Sequence, residues 1–101
     1  MNAGLSGETT AGGNRRIDWV MRQKIDVFIL ELGGNDGLRG TIPSESYKNL
    51  ASIIEKVQGK YPEAAIVLCA MEAPPNMGDQ YTSEFRSIYP RLVEEYGTTL
   101  I

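Results

Sequence analysis

Two short runs of uninterrupted apolar residues, Val27 to Leu30 and Ile66 to Cys69, stand among stretches whose apolar residues recur every three or four positions. The runs are too short and too rich in β-formers for helices, so strands are predicted at Ile25 to Leu32 and at Ala64 to Met71. Continuous rather than alternating apolarity predicts strands buried on both faces, as in parallel sheets. Ahead of the first strand, Ile17, Val20, Met21 and Lys24 share one helical face. Asn14 is the predicted N-cap, Lys24 lays its stem along the stripe, and Trp19 lies off it. Between the strands, Tyr47, Leu50, Ala51, Ile54 and Val57 form a second helical stripe, opened by Pro43 or Ser44 and stopped by Gly59 and Pro62. A third, Phe85, Ile88, Tyr89, Leu92 and Tyr96, predicts a helix from about Asp79 to Tyr96, with Pro90 kinking it or starting it afresh. Gly97 ends that helix, and Thr98 to Ile101 reads as the start of another strand. Residues 1–13, rich in Gly, Ser and Thr, read as a loop, as do Gly33 to Ile42 and Ala73 to Gly78.

The order is loop, α, β, α, β, α, β, which predicts an α/β fold of parallel strands joined by right-handed helical crossovers. Both later loops then sit at carboxyl ends of strands, where open α/β sheets bind ligands. At 101 residues the chain is one domain at most. Ten basic and thirteen acidic residues give a net charge of −3, and they are scattered rather than gathered in a basic stripe, which argues against nucleic-acid binding. Cys69 is the only cysteine, so no intramolecular disulfide forms, and its apolar run marks it as a small buried hydrophobe. No stretch approaches the ~20 apolar residues of a membrane span. The first residues have neither the charged start nor the apolar middle of a signal peptide, so compartment is not readable from the chain.

The candidate chemistry sits in Gly33-Gly34-Asn35-Asp36-Gly37. Glycines permit a sharp turn and close backbone approach, and an Asn amide offers two N–H donors without charge. Such donors suit a tetrahedral oxyanion; the same residues also make an ordinary turn after a strand. Asp36 reads as an acceptor of loop N–H groups that fixes the turn, in preference to a general base. A second glycine turn, Gly4-Leu-Ser-Gly7-Glu8-Thr9, holds Ser6. A Gly-x-Ser-x-Gly elbow would need glycine where Glu8 stands and a strand before it, so Ser6 reads as a turn residue. The chain has no histidine. Lys24, Lys48, Lys56 and Lys60 fall on or near helix surfaces and read as solvated charge rather than bases. Arg39 is either solvent-exposed or a cation for an anionic acyl donor.

These segments resemble the SGNH (GDSL-like) hydrolases, most closely the branch of acyl-CoA thioesterase I, lysophospholipase L1 and arylesterase. The resemblance rests on Asn2 to Thr10, on Glu31-Leu-Gly-Gly-Asn-Asp-Gly-Leu-Arg-Gly40, on Pro74 with Asn76 and Gly78, and on Phe85 with Ile88-Tyr-Pro90 and Leu92. It implies a partial flavodoxin-like three-layer α/β/α domain with a parallel sheet, residues 1–101 forming one incomplete domain without the family's first two strands and last helix. By resemblance, the Gly7 backbone N–H and the Asn35 side-chain amide are oxyanion donors, while Leu38, Arg39, Ile42, Pro74 and Pro75 border the acyl cleft. The family's Gly-Asp-Ser nucleophile segment and Asp-x-x-His pair are not in this sequence, which implies an inactive segment of an esterase or thioesterase. The implied substrate is a small acyl ester or thioester, with no cofactor and no metal. In the family's strand order, 2-1-3-4-5, the strand Ile25 to Leu32 would lack a neighbour, which predicts self-association through its open edge. The resemblance suggests a periplasmic or secreted parent protein. The alternative reading is a small flavodoxin-like module that binds an anion at Gly33 to Asp36 or pairs with a partner through the sheet edge.

Overall fold

The computed structural model describes residues 2–101. Four parallel strands, β1 (Asn2–Ser6), β2 (Val27–Glu31), β3 (Ala65–Leu68) and β4 (Thr99–Leu100), lie side by side in chain order. The helices are α1 (Thr10–Val20), α2 (Gly34–Arg39), α3 (Pro43–Lys60) and α4 (Asp79–Tyr96), with a short 3-10 turn at Pro75–Met77. Each strand passes to its neighbour through a helix. Crossovers of one hand stepping in one direction put α1, α3 and α4 on the same face of the sheet. That face carries the core: Leu5, Phe28, Leu30, Ile66 and Leu68 point into it and meet Ile17, Leu50, Ile53, Ile54, Val57, Phe85, Ile88 and Leu92. Burying each such large side chain contributes ~1.5–3 kcal/mol, which is why the helical stripes predict the packing well.

Local signals fix the longer helices. Pro43 at the first position of α3 has the φ a helix start needs and no N–H to leave unpaired. Glu45 in its first turn and Lys60 in its last complement the helix dipole. Gly97 closes α4 with φ of 70°, a left-handed conformation that glycine adopts without steric cost. Pro90 does not restart α4: the helix is continuous from Asp79 to Tyr96, with Pro90 on its exposed side.

Other expectations need correction. Of the residues 1–13 expected to be a loop, Met1 lies outside the described residues, and Asn2–Ser6 forms β1 and pairs with Val27–Glu31 along its whole length. The reason lies at Gly4, where a side-chain Cβ would stand 2.5 Å from the Ile29 carbonyl oxygen; only glycine lets the strands come this close. The helix that follows starts at Thr10, capped by Thr9 accepting from the Gly12 N–H at 3.1 Å, not at Asn14. Gly13, which reads as loop, is a buried helical residue whose missing side chain makes room for Leu32. Because α1 ends at Val20, Lys24 lies beyond the stripe and is exposed. Residues 34–39, read as loop, form the single-turn helix α2.

The remaining correction concerns the sheet itself. The expected open edge of β2 is occupied by β1, so the outer edges are those of β1 and β4. Nor are the strands buried on both faces: Ile29 is 41% exposed and Val67 half-buried, because the described residues place helices on one face only. Of the three layers implied by resemblance, two are present.

Candidate functional site

β1 and β2 end together, with Ser6 level with Glu31. Immediately beyond them the chain turns twice through glycine. Gly7 follows β1 with φ of 75°, and Gly33 follows Leu32 with φ of 120°. The second turn starts α2, whose first turn carries Asn35. The Asn35 Nδ2 donates to the Gly7 carbonyl oxygen at 3.2 Å, so the two residues expected to act together are in contact. Behind this contact, the buried Tyr89 hydroxyl donates to the Leu32 carbonyl at 2.9 Å. A methyl group at Gly33 would overlap that hydroxyl, so both the backbone angle and the packing require glycine there. Burial, with lesser contributions from Asp36 and Glu72, pushes the Tyr89 phenol well above its ordinary range, so it stays a protonated donor.

Asp36 is 1% exposed. Its Oδ1 accepts from the Thr10 N–H at 2.8 Å, and its Oδ2 accepts from the Thr10 hydroxyl at 2.5 Å and the Ser46 hydroxyl at 2.6 Å. Asn49 Nδ2 in turn donates to Thr10 Oγ1 at 3.1 Å. The carboxylate is therefore enclosed and fully engaged, an arrangement suited to holding structure and not to taking a substrate proton. Its donors come from α1 and α3, not from its own loop as the sequence suggests. Thr10, Ser46 and Asn49 carry no sequence signal of this role, because polar residues at such spacings usually mark the wet side of a helix.

The rim residues are less tightly gathered. Leu38 is 70% and Ile42 64% exposed, and Arg39 is exposed beside them. The loop after β3 packs against this segment: Ala73 lies against Gly37, Met77 against Gly40, and the Tyr81 hydroxyl donates to the Thr41 carbonyl at 2.6 Å. Pro74 is half-buried in that contact and Pro75 is exposed. A shallow depression of about 630 Å³ is lined by Pro75 together with Glu72, Ala73, Asp79, Thr82, Ser83 and Arg86, and none of Leu38, Arg39 or Ile42 reaches it.

Ser6 is the last residue of β1, so a strand does precede it, contrary to expectation. It is exposed on the open face of the sheet, where its neighbour in register is Glu31. Cys69, the residue just after β3, is half-buried and not part of the core. Burial first, and then the Glu31 carboxylate, pushes its thiol up, away from the thiolate that reactivity needs. The lysines are placed elsewhere. Lys56 Nζ donates to Asn14 Oδ1 at 3.1 Å, Lys60 Nζ to the Met21 carbonyl at 2.8 Å, and Lys24 and Lys48 are exposed. Among the described residues no helix is long and apolar enough to cross a membrane.

Comparison with known proteins bears on the family and the fold. A family model described as GDSL-like Lipase/Acylhydrolase matches residues 1–101. Esterase TesA of Pseudomonas aeruginosa is 36% identical over 102 residues, a match that takes in 100% of this chain and 50% of that protein. The Thioesterase 1/protease 1/lysophospholipase L1 of Escherichia coli is also 36% identical, with 48% of its length covered. Among solved structures, AlinE4, described as an SGNH-hydrolase family esterase, superposes with a TM-score of 0.88 at 46% identity, covering 97% of this chain and 52% of that one. The chain thus spans about half the length of the relatives it matches.

Proposed function

Because the chain belongs to the GDSL-like lipase/acylhydrolase family, we propose that it is a segment of a serine esterase or thioesterase, one that supplies oxyanion donors and part of the acyl-binding rim. The single observation that carries this reading is the 3.2 Å bond from Asn35 Nδ2 to the Gly7 carbonyl. One amide N–H is spent on holding the side chain still, which leaves the second for a developing negative charge. The Gly7 N–H is the other donor. In an intact enzyme of this kind a serine attacks the acyl carbonyl, a histidine takes and returns the proton, and an aspartate orients the histidine. The sequence has no histidine, and Ser6 does not sit in a nucleophile elbow, since Glu8 stands where Gly-x-Ser-x-Gly needs glycine. Leu38, Arg39, Ile42, Pro74 and Pro75 are its rim towards the acyl group, and the acyl ester or thioester needs no cofactor or metal for this route.

The alternative, an anion-binding module built on Gly33 to Asp36, has a specific observation against it. Asp36 places a buried negative charge in the first turn of α2, where a bound anion would have to sit close by. Pairing of two copies through the outer edge of β1 remains part of the proposal, since that edge carries no charge or proline to discourage it.

The isolated chain is expected to release no p-nitrophenol from p-nitrophenyl acetate or butyrate above the buffer rate. Turnover that is saturable and survives both Ser6→Ala and Asn35→Ala would overturn the proposal, because it would place the chemistry on residues outside this site.

A further inference from the structure

We propose that Asp36 is a positioning residue that sets the spacing between Gly7 and Asn35, an inference that rests on reading those two as oxyanion donors. The contact between them is a single bond at the protein surface, 3.2 Å long, made by a side chain open to water. A neutral bond of that kind contributes only modestly on balance and would be exchanged freely for water. Asp36 follows Asn35 directly in α2, and Thr10 stands just after the Gly7 turn at the start of α1. Through its two carboxylate oxygens Asp36 takes both donors of Thr10, backbone and hydroxyl, and the hydroxyl of Ser46 on α3.

Three elements are thereby tied at one point by a single carboxylate, and Thr10, Asp36 and Ser46 are each at most 1% exposed. Hydrogen bonds to an ionised acceptor are stronger and shorter than neutral ones, and burial removes water as a competitor. The carboxylate thus does what the surface bond cannot: it fixes where α2 begins relative to the turn after β1. Its chemistry is specific. A carboxylate accepts at both oxygens, whereas an Asn in its place would turn an N–H₂ group towards donors already present.

The test is made on the 101-residue chain, labelled with ¹⁵N and ¹³C, by following the NOE between the Asn35 Nδ2 protons and the Gly7 α-protons. In Asp36→Asn the NOE is expected to be lost and the Gly7 amide to shift, while the Phe28 and Leu30 signals keep their folded positions. Ser46→Ala, which removes one of the three donors, is expected to weaken the NOE. Ile54→Val, a core variant remote from the carboxylate, is expected to lower the melting temperature and leave the NOE intact. A folded Asp36→Asn chain that retains the NOE and the Gly7 shift overturns the proposal. If Asp36→Asn does not fold, Ser46→Ala decides: a weakened NOE supports the proposal and an unchanged one overturns it. Activity plays no part in this readout, so an error in the oxyanion reading would appear in a turnover assay and not here.

Discussion

Asn35 is held from two sides. Its amide reaches Gly7, and the backbone beneath it is pinned by the Tyr89 hydroxyl on the Leu32 carbonyl and by the glycine conformation at Gly33. Tyr89→Phe leaves the ring in the core and removes only the hydroxyl, stranding a buried carbonyl. The expected loss is about 1–3 kcal/mol of unfolding free energy, measured by urea denaturation; an unchanged midpoint would show that the bond carries no weight. Gly33→Ala is expected to cost more, since it adds both a strained φ and an overlap with Tyr89. At this scale the sequence discloses the residues with unusual chemistry, Asn35 between glycines and Gly7 in its turn. It hides Thr10, Ser46 and Asn49, whose hydroxyls and amide look like ordinary solvated groups until the fold brings them around Asp36.

The elements divide in the same way. The helical stripes of α3 and α4 are read directly, because 3.6-residue periodicity is a local record of which side faces the core. β1 is not, because its evidence is non-local. Only Leu5 among its residues is fully buried, and the feature that admits it to the sheet is the absence of a side chain at Gly4. Glycine and serine read as loop when the partner strand is unseen. Gly4→Val is therefore expected to detach β1, speeding amide hydrogen exchange along its ladder with β2 by at least tenfold while the β2–β3 ladder keeps its protection. Equal protection of β1 in the variant would contradict the close approach described here. α2 was hidden for a related reason: its single turn begins at a glycine with φ of 120° and ends at another with φ of 70°, residues that sequence reading assigns to turns.

For the whole molecule, the helices cover one face of the sheet and leave the other to Ile29, Val67, Glu31 and Ser6. Ile101, 73% exposed, extends this open surface beyond β4. With both outer edges also unpaired among the described residues, the isolated chain is expected to self-associate. Sedimentation velocity should show a mass that rises with concentration between ten and several hundred micromolar, and a constant monomeric mass across that range would contradict it. The chain spans about half the length of the relatives it matches.

The central claim, that Asn35 is an oxyanion donor, is tested most directly where a nucleophile is present. Residues 1–101 can replace the matching stretch in one of the full-length esterases they resemble, and kcat for a p-nitrophenyl ester can be compared between that hybrid and its Asn35→Ala variant. Loss of one such donor should lower kcat by about 10²–10³-fold, with a much smaller change in KM. An active hybrid whose kcat is unchanged by Asn35→Ala would contradict the account.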